Sequence, residues 1–211
     1  DFDGFGTQTN WALGAVWSIP QTPFQLVARY ATAFKAPTLS ERFASSAFTT
    51  PNPGLEPEEA KTWEVGARAS FELEDGRSAS VSLSYFDTDI ENLIENVFDF
   101  TTFTGTNENV GRARISGVEL AGRLDISSTL QLDAGYAYVE ATNAVTDAPL
   151  LRRPRHAWSA GLVWQPVEAL SLSARYHNTG ARRDVTYDDD GFFVSGNAPV
   201  AGYELVNISG Q

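Results

Sequence analysis

The chain has no cysteine, which excludes a disulfide framework and a thiolate metal site. It is poor in cations, with 15 Lys and Arg against 27 Asp and Glu and a formal net charge of −12. That balance argues against a nucleic-acid surface. No apolar run reaches the roughly 18 residues of a transmembrane helix. The only histidines are His156 and His177, and no nucleophile motif surrounds the nearby Ser159 and Ser173. Enzyme chemistry is therefore not expected. There is no signal peptide, and the chain stops at Gln211 just after a strand-like segment, so it reads as a piece of something longer. None of these absences excludes a membrane barrel. A barrel strand meets lipid only at every second residue, so a mean hydropathy of −0.23 is compatible with one.

What is present is alternation with a period of two. The stretch from Arg29 to Arg68 organises it. Tyr30, Thr32 and Phe34 alternate with Arg29, Ala31, Ala33 and Lys35, and Trp63, Val65 and Ala67 alternate with Thr62, Glu64, Gly66 and Arg68. One apolar and one polar face means a strand between two different solvents. The intervening residues 36–58 hold Pro37, Pro51, Pro53 and Pro57 and cannot continue either strand. Eight such segments recur: 11–19, 24–34, 63–73, 79–85, 118–126, 130–138, 158–164 and 170–176. A ninth, less regular one lies around 202–209. No apolar-parity position of the eight is charged, although 20% of the chain is. The opposite parity carries Arg29, Glu64, Arg68, Glu119, Arg123, Asp133 and Arg175.

All five tryptophans fall on the apolar parity, with Trp11, Trp63 and Trp158 near one end of their strands and Trp17 and Trp164 near the other. Tryptophan at both edges of an apolar band is an aromatic girdle. A soluble antiparallel sandwich or lipocalin-like barrel would place tryptophan in mid-core instead. Tight turns at 20–23, 74–77 (with Asp75-Gly76), 127–129 and 166–169 alternate with long polar connections at 36–58, about 92–107, 143–153 and 182–199. Short turns on the periplasmic side and long loops outside are the habit of outer-membrane barrels. The expected fold is all-β, an antiparallel transmembrane β-barrel.

Three segments resemble the TonB-dependent outer-membrane receptors: Tyr30 to Glu41 (YATAFKAPTLSE), Asn52 to Glu58 (NPGLEPE) and Asn109 to Glu119 (NVGRARISGVE). A fourth, Ala141 to Arg153 (ATNAVTDAPLLRR), is similar to the vitamin B12 (cobalamin) receptors of that superfamily. The resemblance covers nearly the whole chain. It implies that residues 1–211 are the later part of a 22-stranded barrel domain, about nine strands of it, with the plug domain and TonB box outside this chain. The implied function is binding and active import of cobalamin or a related corrinoid. The expected partners are TonB, acting through the plug, and outer-membrane lipid and lipopolysaccharide, in the outer membrane of a Gram-negative bacterium. No cofactor and no nucleic acid are implied. A receptor for an iron siderophore or haem is the alternative, and a passive porin a second one.

The resemblance carries two ligand contacts over to this chain, Arg152 in Leu150-Leu151-Arg152-Arg153 and Tyr187 at the end of Gly180 to Tyr187 (GARRDVTY). On chemistry alone, Arg152, Arg153 and Arg155 form the one basic cluster of an acidic chain. A guanidinium there can donate forked hydrogen bonds to an amide or phosphate, or pair with lipopolysaccharide or with a lumen carboxylate such as Asp133. Tyr187 can stack on an extended ligand. Asp188-Asp189-Asp190 is read as solvated rather than as a cation site. Asp87, Asp89 and Glu91 are read as a strand end, because Asn92 stands where a calcium loop needs glycine.

Overall fold

The computed structural model describes residues 4–5, 7–99, 101–191 and 193–211. Phe100 and Phe192, inside two of the expected long loops, lie outside the described residues. The strands in chain order are β1 (Ala12–Ser18), β2 (Phe24–Lys35), β3 (Thr49–Thr50), β4 (Glu58–Glu72), β5 (Ser78–Glu91), β6 (Ile94–Asp99), β7 (Thr104–Asn109), β8 (Arg112–Ser127), β9 (Leu130–Asn143), β10 (His156–Val167), β11 (Leu170–Thr179), β12 (Arg182–Tyr187), β13 (Phe193–Val200) and β14 (Tyr203–Gly210), with one short helix α1 (Leu39–Phe43) after β2. Nine strands form a single antiparallel sheet in the order β1-β2-β4-β5-β8-β9-β10-β11-β14. They are the nine alternating segments, each paired with its neighbour in sequence order.

The register explains why parity matters. Leu26 faces Ala67, Ala67 faces Leu83, and Leu83 faces Leu120, so apolar parity meets apolar parity across the sheet and one face is continuously apolar. That face is exposed: Leu13, Trp17, Leu83, Leu120 and Trp164 all lie on the surface. The buried hydrophobic side chains are Leu55, Ala69, Ala113, Ala141 and Leu150, and among the described residues no large side chain is fully buried. A sandwich has two layers and a core between them. This sheet is one layer whose apolar face needs lipid.

Two aromatic rows border that face. Trp11 packs on Tyr30 at 5.1 Å, Trp63 on Tyr85 at 5.2 Å and Tyr136 on Trp158 at 4.1 Å between ring centroids. At the short-turn end Trp17, Phe24, Phe71 and Trp164 are exposed, and Phe24 meets Phe71 edge-on at 6.2 Å. Along β4 from Trp63 to Phe71 is roughly 26 Å of strand, or about 20 Å of height at a barrel tilt. That is close to the apolar band of an outer-membrane barrel.

The strands run further past the upper aromatic row than the alternation indicates. There the outward parity becomes charged and self-paired. Arg114 meets Asp87 at 2.7 Å, Arg112 meets Glu91 at 2.8 Å, Lys61 meets Glu91 at 3.8 Å and Arg155 meets Glu140 at 3.1 Å. Asp87, read as part of a strand end, is indeed on β5 and is buried under the Arg114 fork. Two glycines of the Asn109 to Glu119 segment have structural causes. Gly111 has φ +99° where the chain turns from β7 into β8, and a Cβ on Gly117 would meet Tyr138 O and the Phe86 ring. The long polar connections are not structureless. They contain α1 and the hairpins β6–β7 and β12–β13, which the sequence pattern did not indicate.

The exposed apolar face yields a paired test. In the full-length protein in lipid, Leu120→Arg is expected to lower stability by about 2–4 kcal/mol. Ser84→Arg, on the other face beside Glu119, should cost under about 1 kcal/mol. Urea unfolding checks this, and equal losses would contradict a lipid-facing parity.

Candidate functional site

The long connections gather at one end of the sheet, and the first of them is tied down by the three superfamily-like segments. Thr38 caps α1, accepting from Glu41 N at 3.1 Å while Glu41 accepts from Thr38 N at 2.7 Å. This capping box satisfies two orphan donors. Lys35 Nζ bridges Glu41 and Glu58, each at 3.2 Å. Asn109 acts as a side-chain ladder rung. Its amide donates to Glu56 O (2.9 Å) and Asn92 O (2.7 Å) and accepts from Glu56 N (2.8 Å). Asn107 donates to Glu41 O, and Asn52 to Asn107 O. Leu55 is buried beneath. These segments are therefore one interlocked scaffold, which accounts for their residue types without a ligand.

The loop carrying Arg152 is seated separately. Asn143 Oδ1 accepts from Val145 N and Thr146 N, and Leu150 N donates to Ala141 O at 2.9 Å. Leu150 then packs into a small cluster with Ala113, Ala141, Ile90, Leu93 and Ile115. Two residues on, Arg152 adopts φ +61°, a left-handed conformation costing about 1–2 kcal/mol in a non-glycine residue. Its backbone N donates to Arg183 O at 2.7 Å and its Nε to Asp184 Oδ1 at 2.8 Å. The Arg152 side chain is 67% exposed, so the terminal amines of the fork stay accessible. The hydrogen bond that Arg152 donates to Asp184 raises the Arg152 pKa above its ordinary value, and the same bond lowers that of Asp184.

The expected residues are brought together in part. Arg152 is bonded to β12, whose last residue is Tyr187. Tyr187 is exposed and meets Phe193 edge-on at 6.3 Å. The basic cluster itself splits: Arg155 pairs with Glu140, and Arg153 Nη1 donates to Arg152 O at 3.4 Å. Asp133, named as a carboxylate partner for the cluster, pairs instead with Arg175 at 3.6 Å. Asp188 Oδ1 accepts from Asp190 N within the hairpin turn. His156 Nδ1 bonds Tyr136 Oη at 2.8 Å in the aromatic row, and Ser173 bonds Ser209. Sequence reasoning missed Asp184, Leu150 as an anchor, and the Phe98–Phe193 stack. Asp184 lies inside the quoted Gly180 to Tyr187 string, but nothing in that string marks it as a partner of Arg152. Its role depends on a contact 32 residues away.

Residues 1–211 match the family model described as TonB dependent receptor-like, β-barrel. Among solved structures, the chain is similar to the ferric enterobactin receptor of Pseudomonas aeruginosa, at 25% identity and a TM-score of 0.73 over 99% of this chain and 33% of that one. It is also similar to the ferric-catecholate import receptor Fiu of E. coli K12, at 23% identity and 0.65 over 94% of this chain and 28% of that one. A copper transporter, OprC, matches at 19% identity and 0.72 over 94% of this chain and 30% of that one. The chain thus spans a third or less of the length of these proteins.

Two outcomes follow from this geometry. Asn109→Ala is expected to remove about 1–2 kcal/mol of local stability. In the full-length protein, amide exchange across residues 52–58 should then rise roughly 5–30-fold, and unchanged exchange there would contradict the scaffold. The Asp184 carboxylate, ordinarily titrating at 3.8, is depressed when folded. Its pairing with Arg152 is therefore fully present above that value and lost as pH falls through the lower folded value. Exchange in residues 148–155 should accelerate only in that acid window, and Asp184→Asn should abolish the transition.

Proposed function

Because the chain belongs to the TonB-dependent receptor-like β-barrel family, whose members are transport receptors of the Gram-negative outer membrane, we propose that it is a barrel segment of an active importer for cobalamin or a related corrinoid. On this reading residues 1–211 supply later strands of a 22-stranded barrel. The outermost strands β1 and β14 pair with further strands, and the plug and TonB box lie elsewhere in the parent protein. The long connections form the extracellular mouth. The two aromatic rows sit at the edges of the membrane, against lipid and lipopolysaccharide. TonB pulls on the plug once ligand is bound.

The observation that supports this ligand is the pair of hydrogen bonds that Arg152 donates to β12, to Arg183 O and Asp184 Oδ1, which draws the Leu150 to Arg153 motif toward the strand ending at Tyr187. Arg152 would donate its fork to acceptors on the ligand, and Tyr187 would stack or hydrogen-bond beside it. Asp184 fixes the guanidinium and offsets its charge. That suits a ligand rich in amide acceptors better than one recognised by net charge alone. A second reading, an iron siderophore, is favoured by the similarity to two receptors named for ferric enterobactin and ferric catecholates.

Titration of the intact parent receptor in detergent with cyanocobalamin separates the two. Tight binding, weakened tenfold or more by Arg152→Ala (about 1.4 kcal/mol), is expected. Tight binding indifferent to that change would keep the ligand and discard Arg152 as a contact. A folded receptor that binds a ferric catecholate but not cyanocobalamin would establish the second reading.

A further inference from the structure

The apolar face of β8, β9 and β10 is not flat. Gly122, Ala134 and Ala160 oppose one another across these strands and floor an apolar slot of about 480 Å³. Leu120, Tyr136 and Trp158, one pleat higher, make its rim. The slot thus lies directly beneath the upper aromatic row, to which Tyr136 and Trp158 belong. There is no water at that depth to fill it, so hydrocarbon does. The sheet does not require glycine at 122. An added Cβ would meet only Ser80 O, at an ordinary 3.6 Å.

The same face continues upward into a second hollow. Val118 opposes Tyr138, Ser116 opposes Glu140, and Arg114 opposes Thr142. The last four of these, with Ala144 and Asp147, line a polar hollow of about 570 Å³. From the slot's rim to Ser116 and Glu140 is four residues of each strand, roughly 13 Å. The hollow therefore sits at headgroup height, on the side of the long connections. Arg114 is held through Nε and Nη2 on the buried Asp87, which leaves Nη1 to donate elsewhere. Arg155, paired with Glu140 at 3.1 Å, brings a second guanidinium to the rim. Ser116 and Thr142 hydroxyls donate and accept, while Glu140 and Asp147 only accept. Those two carboxylates oppose a bare phosphate and suit the hydroxyl groups of a sugar.

We propose that this face holds one molecule of lipopolysaccharide, with an acyl chain in the slot, its sugar headgroup in the hollow and a headgroup phosphate against Arg155. Two features select this occupant over an ordinary phospholipid. The polar hollow is lined for hydroxyl groups, and it stands on the same strand pair as the slot, so one amphiphile can fill both. The proposal rests on the membrane placement of the aromatic rows and is independent of which cargo is imported.

The test titrates the full-length protein, stripped of lipid in detergent, with deep-rough lipopolysaccharide and separately with phosphatidylglycerol, and reads bound lipid by native mass spectrometry. Gly122→Leu fills the slot, and the double variant Ser116→Val/Thr142→Val removes both hydroxyls while keeping strand-forming residues. Each is checked for a folded barrel by circular dichroism. Lipopolysaccharide should bind about tenfold or more weakly to Gly122→Leu and about fivefold or more weakly to the double variant. Phosphatidylglycerol should bind the unaltered protein more weakly than lipopolysaccharide and be indifferent to the loss of the hydroxyls. Unchanged lipopolysaccharide affinity in either variant would overturn the site. Equal affinity of the unaltered protein for both lipids would mean that any lipid covers this face, and would overturn it too. A protein that meets the Leu120→Arg expectation yet binds no lipopolysaccharide refutes the site and leaves the membrane placement standing.

Discussion

Backbone hydrogen bonding in a medium without water is the constraint on which everything else here depends. In lipid every N–H and C=O must be satisfied within the protein, and an antiparallel ladder achieves this only if each strand has a partner on both sides. The long registers between β2 and β4, β4 and β5, β5 and β8, and β8 and β9 meet that demand. Once the ladder is set, side chains have two directions left. One meets hydrocarbon and excludes charge, and the other meets water. Parity, girdles and the near absence of a buried core all follow from that division.

The same division explains where the outward face changes character. Beyond the upper aromatic row, outward positions on β5 and β8 carry Asp87, Glu91, Arg112 and Arg114 as ion pairs. These are mostly exposed pairs, each worth little on its own. Asp87 is the exception, because it is buried and receives two hydrogen bonds from one guanidinium. A buried carboxylate without its partner is strongly destabilising, so Arg114 is required by Asp87 more than by any ligand.

The nine sheet strands were legible because a period of two is imposed wherever one face is apolar and the other is not. The hairpins were not, because they obey no such rule. Strand β7 reads Thr104-Gly105-Thr106-Asn107-Glu108-Asn109, polar on both faces, and it is held by amide cross-links from Asn107 and Asn109 to backbone far along the chain. Strand β13 carries Gly196, Asn197 and Pro199, residues that depress any strand expectation. In the candidate site, Arg152 and Tyr187 were reachable through their local motifs. Asp184 and the Phe98–Phe193 stack were not, because each depends on two loops meeting in space.

The seating of Arg152 shows how a loop can present a charged group in a defined direction. A left-handed arginine is unfavourable by itself, and an exposed side chain has rotamer freedom to lose. Leu150, buried two residues earlier, fixes where the loop enters, and the Arg183 carbonyl and Asp184 carboxylate fix the backbone and Nε. The ordering cost is thus met by protein contacts before any ligand arrives, which is the physical meaning of preorganisation. The arrangement also limits what Arg152 can do. With Nε committed to Asp184, the guanidinium is held by one edge and its charge is partly offset, so only the terminal amines are left to donate elsewhere.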